Sequence, residues 1–284
     1  MRERQFFAAC GKGLEPALEG ELRELGAKDV LLRRGGVAFR GDRRLGGLAN
    51  LWLRSAIRVQ EELLAARIRD GDDLYEAVRG VDWDALITPG HTLAVRASVR
   101  DAPQLTHSGY AALRVKDAVV DVLRELHGSR PSVDTRNPDV PLKLVVKGER
   151  MLLYRDWSGL SLHKRGWRPI QVKSPLNEAT AAGLLLLTNW DRASPLVDPM
   201  CGSGTFPVEA AMLAADRAPG LRRDFAFERW PDHDARLFQS LRDEARERAR
   251  VTLPFPIQGA DHHPGALELA RKGAHAAGVE SLVT

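Results

Sequence analysis

Apolar residues along this chain follow two spacings, and the switches between them divide it into units. Gln5–Cys10 is a short apolar run that reads as a strand, after which Leu14, Leu18, Leu22 and Leu25 recur at helical steps up to Gly26. Val30–Leu32 and Val37–Phe39 flank Gly35-Gly36, the signature of a hairpin. A second helix is expected from about Leu48 to Ala66. Leu93, Val95, Ala97 and Val99 then alternate with polar residues, as a half-buried strand does. Val115, Val119, Val122 and Leu126 mark a helix with one apolar face, and Gly128-Ser129-Arg130-Pro131 stops it. Leu142–Val146 and Met151–Tyr154 read as strands joined by a turn at Lys147-Gly148-Glu149. The pattern predicts a small α+β unit over residues 1–66 and a compact α/β module over 67–157.

From Asp156 to Ser174 the periodicity lapses. The stretch Ser161-Leu162-His163-Lys164-Arg165-Gly166-Trp167-Arg168 is too charged for a core element and reads as part of a linker, residues 158–176. A helix is predicted from Asn177 to Asn189, with Leu184–Leu187 apolar nearly all round and therefore expected to be buried. Pro195-Leu196-Val197-Asp198 is a short strand ending in an acid. It runs into Pro199-Met200-Cys201-Gly202-Ser203-Gly204-Thr205 and then a helix through Phe206, Val208, Ala210, Ala211 and Leu213.

Strand, glycine turn and helix form the first βα unit of a doubly wound sheet, whose ligands bind at the carboxyl ends of the strands. Side chains at Gly202 and Gly204 would block a ligand's approach to the backbone. The turn is not a phosphate loop, because no Gly-Lys-Ser/Thr follows, and Pro207 breaks the six-residue dinucleotide fingerprint. Pro256-Ile257-Gln258-Gly259-Ala260-Asp261 reads as the second strand, again ending in an acid, with a helix from Pro264 to near Gly278. An acid there suits the ribose hydroxyls of a nucleoside, although Asp also caps helices. The interval from Gly204 to Asp261 exceeds the usual spacing of about 20 residues. An inserted helix with Leu237, Phe238, Leu241, Ala245 and Ala249 on one face absorbs the excess.

Composition narrows the class. The chain has 284 residues, 44% of them apolar and only 6% aromatic, which argues for a mixed α/β protein of two or three units. Cys10 and Cys201 are too few for a disulfide scaffold or a cysteine metal site. No apolar run nears the roughly 18 residues of a membrane span, and no signal core follows Arg2-Glu3-Arg4. A soluble, cytoplasmic protein is expected. Residues 96–173 hold 15 Lys/Arg against 8 Asp/Glu, a net of +7, while the remainder holds 27 against 30. Such local excess suits contact with a phosphate backbone, and equally a solvated basic face.

Together Leu196–Phe206, Gly259-Ala260-Asp261 and Ala266–Arg271 closely resemble the THUMP-containing S-adenosylmethionine-dependent RNA methyltransferases. The match is best to the bacterial enzymes that make N2-methylguanosine in 23S ribosomal RNA. Gly13-Leu14-Glu15, Gly35–Phe39 and Trp52–Val59 resemble that family's ferredoxin-like region, and Lys116–Asp121 with Asp156–Gly159 its THUMP module. Leu162–Arg168 and Pro175–Glu178 resemble its linker and entry helix, and the insertion with Ala218–Arg223 is a family trait.

The resemblance implies a ferredoxin-like plus THUMP α+β region followed by a Rossmann-like class I methyltransferase domain over residues 177–284. It implies that Asp198, Met200, Cys201, Gly202, Ser203, Gly204 and Thr205 hold the methionine part of S-adenosylmethionine and that Asp261 takes its ribose. An acid-rich pocket favours the sulfonium cation, and a glycine turn offers N–H groups to the carboxylate. Family members carry an Asn/Asp-Pro-Pro-Tyr/Phe motif that accepts from the amine being methylated. This sequence stops at Thr284 without a Pro-Pro pair, so it is expected to be the N-terminal part of a longer enzyme, inactive alone and without an assignable catalytic residue.

Candidate RNA contacts are Arg114, Lys116, Lys143 and Lys147 in the basic module and Lys164, Arg165 and Arg168 in the linker, unless these are solvated cations without a partner. Cys201 has no neighbouring base and reads as a small turn residue rather than a nucleophile. His233, His262 and His263 lack ligand spacing, so no metal is expected. A guanine-N2 methyltransferase acting on ribosomal RNA is therefore expected. Transfer RNA as substrate, or a non-catalytic RNA-binding role, remains an alternative. A nicotinamide oxidoreductase is disfavoured by the incomplete glycine pattern.

Overall fold

The computed structural model describes residues 3–168 and 176–284. The first unit begins with β1 (Arg4–Cys10), α1 (Glu15–Glu24) and the hairpin β2 (Lys28–Arg33) and β3 (Gly36–Gly41), followed by α2 (Arg43–Trp52) and β4 (Ala56–Arg67). Gly35 turns the hairpin at φ +78°. The single helix expected over 48–66 is instead a helix and a strand. Asp42 caps α2 by accepting from Leu45 N–H, and the chain then reverses at Arg54 and Ser55, whose N–H groups both donate to the buried Glu21. The polar run Gln60-Glu61 hides the strand's alternation because both residues are buried, on opposite faces of the sheet.

The module that follows comprises α3 (Gly71–Arg79), β5 (Thr92–Arg100), α4 (Ser108–His127), the two-residue β6 (Ser132–Val133), β7 (Val140–Lys147) and β8 (Arg150–Asp156). Gly128, left-handed at φ +69°, ends α4 as the sequence predicts. The strands of both units join in one eight-stranded sheet of order β2-β3-β1-β4-β8-β7-β5-β6. Pairing is antiparallel except at β5–β7 and β5–β6. Register fixes the faces. Glu61 opposes Phe6 and Arg155, and Arg155 opposes Leu142, so these side chains share the core face with Leu18, Leu51, Leu74 and Val119 of the helices. Gln60 and Asp156, Tyr154 and Lys143, and Lys143 and Arg96 pair on the other face, which the helices leave open.

The last part holds α5 (Glu178–Leu187), β9 (Leu196–Asp198), α6 (Thr205–Ala214), α7 (Ala235–Arg248), β10 (Ile257–Gly259) and α8 (Pro264–Ala277). β9 and β10 pair in parallel with Asp198 opposite Gly259, and Val283 adds a single parallel bridge to Ile257. Leu184 and Leu187 were expected to be buried, yet they are 40% and 41% exposed. An all-apolar stretch says nothing of direction, and of its four leucines α5 buries only Leu185.

The inserted segment does not stay with the strands it interrupts. Phe225, Phe227, Trp230, Phe238 and Leu241 enter the core of the first two units, where Phe227 and Trp230 lie 5.0 and 5.7 Å from the Trp157 ring. Gly220 passes so close to α2 that a Cβ would sit 2.8 Å from the Leu51 Cα, which only glycine allows.

Candidate functional site

Parallel pairing sets Asp198, the last residue of β9, opposite Gly259, the last of β10, so the second acid, Asp261, lies two residues past its strand rather than at the strand's end. Ala260 N–H donates to the Asp198 carbonyl at 2.8 Å, and Cys201 N–H donates to the Ala260 carbonyl at 2.9 Å. The glycine turn is thereby stitched to both strands. Gly202 N–H donates to Asp261 Oδ2 at 2.9 Å, and Met200 N–H donates to Asp198 Oδ1 at 3.1 Å. Residues separated by some sixty positions thus form one rim at the carboxyl ends of the strands. Gly202 and Gly204 adopt φ +54° and +82°, and a Cβ on Gly204 would approach the Ala270 Cβ to 2.7 Å. Gly204 therefore serves both the turn and the close seating of α6 against α8.

The electrostatics of the rim suit a cation beside a carboxylate. N–H donation from His263 and Gly202 holds the Asp261 carboxyl below the ordinary aspartate range. No side chain caps α6, so its first N–H groups face outward with the positive end of the helix dipole. Met200 is 83% exposed at the tip of the turn. Burial, reinforced by the charges of Asp198 and Asp261, raises the Cys201 thiol. A thiol so placed stays protonated and is a poor nucleophile. A cavity of about 450 Å³ lies beside the turn, lined by Cys201, Gly204, Pro207 and Ala270 among others.

Three sequence profiles match the chain in order: the RlmL ferredoxin-like domain over residues 5–60, the THUMP domain over 69–156, and the RMKL-like methyltransferase domain over 165–284. The "Ribosomal RNA large subunit methyltransferase K/L" of Syntrophotalea carbinolica is 43% identical over 98% of this chain. The "Putative RNA methyltransferase slr0064" of Synechocystis sp. is 39% identical over 95% of this chain and 71% of its own length. The chain belongs to the THUMP-containing, RMKL-like RNA methyltransferase family. It spans 40% of the length of the Syntrophotalea relative. Among solved structures, "SMU.472, a putative methyltransferase complexed with SAH" superposes with a TM-score of 0.91 at 32% identity, covering 100% of this chain and 75% of that one.

In this RMKL-like chain the basic residues singled out from sequence have divergent fates. Arg165 is buried, donating to the Leu162 carbonyl at 2.7 Å, to the Arg54 carbonyl and towards Glu209. It is no surface contact for RNA, because a guanidinium satisfied inside the protein has no face left for a phosphate. Leu162 and Trp167 are buried with it, so this part of the expected linker is a packed joint. Residues 169–175, the rest of that linker before Leu176, lie outside the described residues.

Arg168 also turns inward. It pairs with Glu178 at 2.8 Å and donates to Ser203 Oγ at 3.1 Å and Thr205 Oγ1 at 3.0 Å, bracing the glycine turn from behind. Arg114 pairs with Asp72 and lies over the Tyr75 ring, and Lys116 pairs with its neighbour Asp117. Lys164 and Lys147 are exposed. Lys143 stands on the open sheet face, half-buried. His262 lies beside Asp261, and among the described residues no group of three or more His, Cys, Asp or Glu is placed to hold a metal.

One feature has no sequence signal. Asp232 of the insertion accepts from Arg155 at 3.0 Å and Arg43 at 2.7 Å, while Arg155 also donates to Glu61 at 3.0 Å. The Arg155 guanidinium lies 3.8 Å from the Trp230 ring centroid, and Glu61 accepts from Trp157 Nε1 at 2.9 Å. Burial alone would raise the Asp232 carboxyl. The Arg155 hydrogen bond and the charges of Arg155, Arg43 and Arg4 outweigh it and hold the group below its ordinary value. This buried clasp ties the methyltransferase part to the sheet of the first two units.

Proposed function

We propose that this chain binds S-adenosylmethionine and serves the N2-methylation of a guanosine in large-subunit ribosomal RNA. The observation that carries the reading is the rim made by Asp198, the Met200–Thr205 turn and Asp261 at adjoining parallel strand tips. When bound, the donor supplies an electrophilic methyl group on a sulfonium.

The chain's own residues do the rest of the donor-side work. The carboxylate oxygen of Asp198 and the turn, with the uncapped start of α6, receive the amino-acid end. Asp261 accepts from the ribose hydroxyls with the lone pairs that Gly202 and His263 leave free. Arg168, through Ser203 and Thr205, keeps the turn in shape. The THUMP unit grips RNA, and the buried clasp holds that grip at a fixed distance from the rim. Catalysis of this kind rests on positioning, with no covalent intermediate required of Cys201.

Calorimetric titration with S-adenosylmethionine tests the reading. Wild-type binding that falls about 10–100-fold in Asp198→Asn or Asp261→Ala, as loss of charge-assisted hydrogen bonds implies, supports it. Absence of wild-type binding defeats it. With an enzyme that carries this chain together with the Asn/Asp-Pro-Pro-Tyr/Phe motif, radiolabelled transfer followed by nucleoside mass spectrometry identifies the product: N2-methylguanosine in 23S RNA supports the guanine assignment, and label in another base or in transfer RNA refutes it.

A further inference from the structure

The two helices that start at the rim, α6 after the glycine turn and α8 after Asp261, run away from it and end at another cavity, of about 420 Å³. They have 10 and 14 residues, which at about 1.5 Å per residue sets this cavity roughly 15–20 Å from the rim. Arg165, Arg217, Arg222 and Arg246 line it, and no acid does. Two of these charges are answered: Arg165 lies 3.5 Å from Glu209, and Arg246 pairs with Asp243 at 2.5 Å. Among the described residues Arg217 and Arg222 pair with no carboxylate.

These two converge on the end of α8. Arg217 donates to the Ala277 and Gly278 carbonyls at 3.0 and 2.7 Å, and Arg222 donates to the Ala276 carbonyl. A Cβ at Gly278 would strike side-chain nitrogens of both, so the guanidiniums crowd one residue. Helix capping accounts for only part of this, because a helix C-terminus offers about half an elementary negative charge against two positive ones. Burial and the charge of Arg222 lower the Arg217 pKa, and Arg217 Nε is buried without a hydrogen-bond partner. More than one positive charge is left over, beside an apolar floor of Trp167, Met212 and Leu221.

That charge selects the ligand. A carboxylate or a phosphodiester brings one negative charge, whereas a phosphomonoester brings about 1.5–2 at neutral pH, with oxygens that fit the guanidinium fork. The volume lies within the range of about 300–1,000 Å³ of small-molecule sites, and the apolar floor suits a carbon skeleton.

We propose that this cavity binds a small phosphomonoester, its phosphate between Arg217 and Arg222 and its apolar part on Trp167, Met212 and Leu221. The ligand ties the insertion to the end of α8 and stabilises the methyltransferase part from the end opposite the rim. The assignment does not rest on the methyl-donor reading.

Calorimetric titration with phenyl phosphate, an aromatic ring carrying the dianion, tests the site. Wild-type protein is expected to bind it, and to bind dimethyl phosphate and inorganic phosphate each about tenfold more weakly. Arg222→Gln, at an exposed position, and Arg217→Gln are each expected to weaken phenyl phosphate binding about tenfold. Arg236→Gln, the same change at an exposed position of α7, is expected to leave it unchanged. Circular dichroism verifies folding. Arg217 caps α8, so if Arg217→Gln fails to fold, Arg222→Gln decides.

A wild-type chain that binds no phenyl phosphate overturns the proposal, as does an Arg222→Gln protein that binds it no more weakly than Arg236→Gln. Displacement by S-adenosylmethionine would put the anion at the rim and remove it from this cavity. Equal affinity for inorganic phosphate overturns the apolar contact, and equal affinity for dimethyl phosphate overturns the preference for a dianion. A 5′-phosphorylated oligoribonucleotide that binds more tightly than phenyl phosphate, and through Arg222, overturns the small-molecule assignment.

Discussion

Two groups of arginines occupy opposite faces of the same sheet, and they behave in contrary ways. On the core face Arg155 is fully buried between Glu61 and Asp232, stacked on Trp230, with every charge answered. On the open face Arg96 and Arg136 are exposed and, among the described residues, neither forms an ion pair, although the Asp134 carboxyl lies within reach of the Arg136 charge. The residue type is the same. Whether a carboxylate stands opposite decides which arginine is structural and which is free to meet a ligand. An arginine count by segment cannot make that distinction, because Asp232 arrives from an insertion distant in sequence.

The sharpest break in this comparison is Arg155→Met, which leaves the buried Glu61 and the partly buried Asp232 with less compensation. Removing one member of such a network costs about 3–5 kcal/mol, so chemical denaturation should show a large loss of stability. RNA affinity of the folded fraction should be unchanged. The reverse pattern would mean that the two faces are not separate in function.

Next in size, Gly204→Ala forces a left-handed φ on a residue with a side chain, at about 1–2 kcal/mol, and adds the close approach to Ala270. Lower stability and weaker S-adenosylmethionine binding should appear together, by denaturation and calorimetry. Loss of neither would show that the turn relaxes freely.

A pH series refines the clasp. Asp232 has a depressed carboxyl pKa in the folded protein, so its contribution to stability is complete above the ordinary aspartate value of about 3.9 and is lost as pH falls through its folded value. The fall in denaturation midpoint on acidification should be shallower in Asp232→Asn than in wild type. Parallel slopes would remove Asp232 from the acid response.

The smallest effect is expected of Arg114→Ala. Its pair with Asp72 is largely exposed on the acid's side, and exposed pairs contribute about 0.2–1 kcal/mol. A slight loss of stability with no change in RNA affinity would leave Arg114 to the structural group. A clear loss of RNA affinity would move it to the other.

The glycine turn, the strands before the two acids and the helices after them were legible because their information is local. A strand ending in Asp, a left-handed glycine and a following helix occupy adjacent residues, so spacing alone carried them. Misreadings arose where a residue's environment is supplied from far away. Glu61 lies in a strand that resembles a helix in sequence, since burial of its carboxylate depends on partners such as Arg155 and Trp157. Arg165 and Arg168 read as surface cations because Glu209 and Glu178, which draw them inward, lie beyond the reach of a local pattern.

What the amino-acid sequence determined by itself is the elements whose pattern is local, the glycine turn and its flanking strand and helix above all, because backbone conformation there answers to near neighbours. Only the tertiary structure decided which cations are paired, where the insertion docks, and that Arg58, Arg96, Arg136 and Lys143 share one cleft. Coulombic pairing and burial depend on distance in space, and strand register converts sequence separation into that distance.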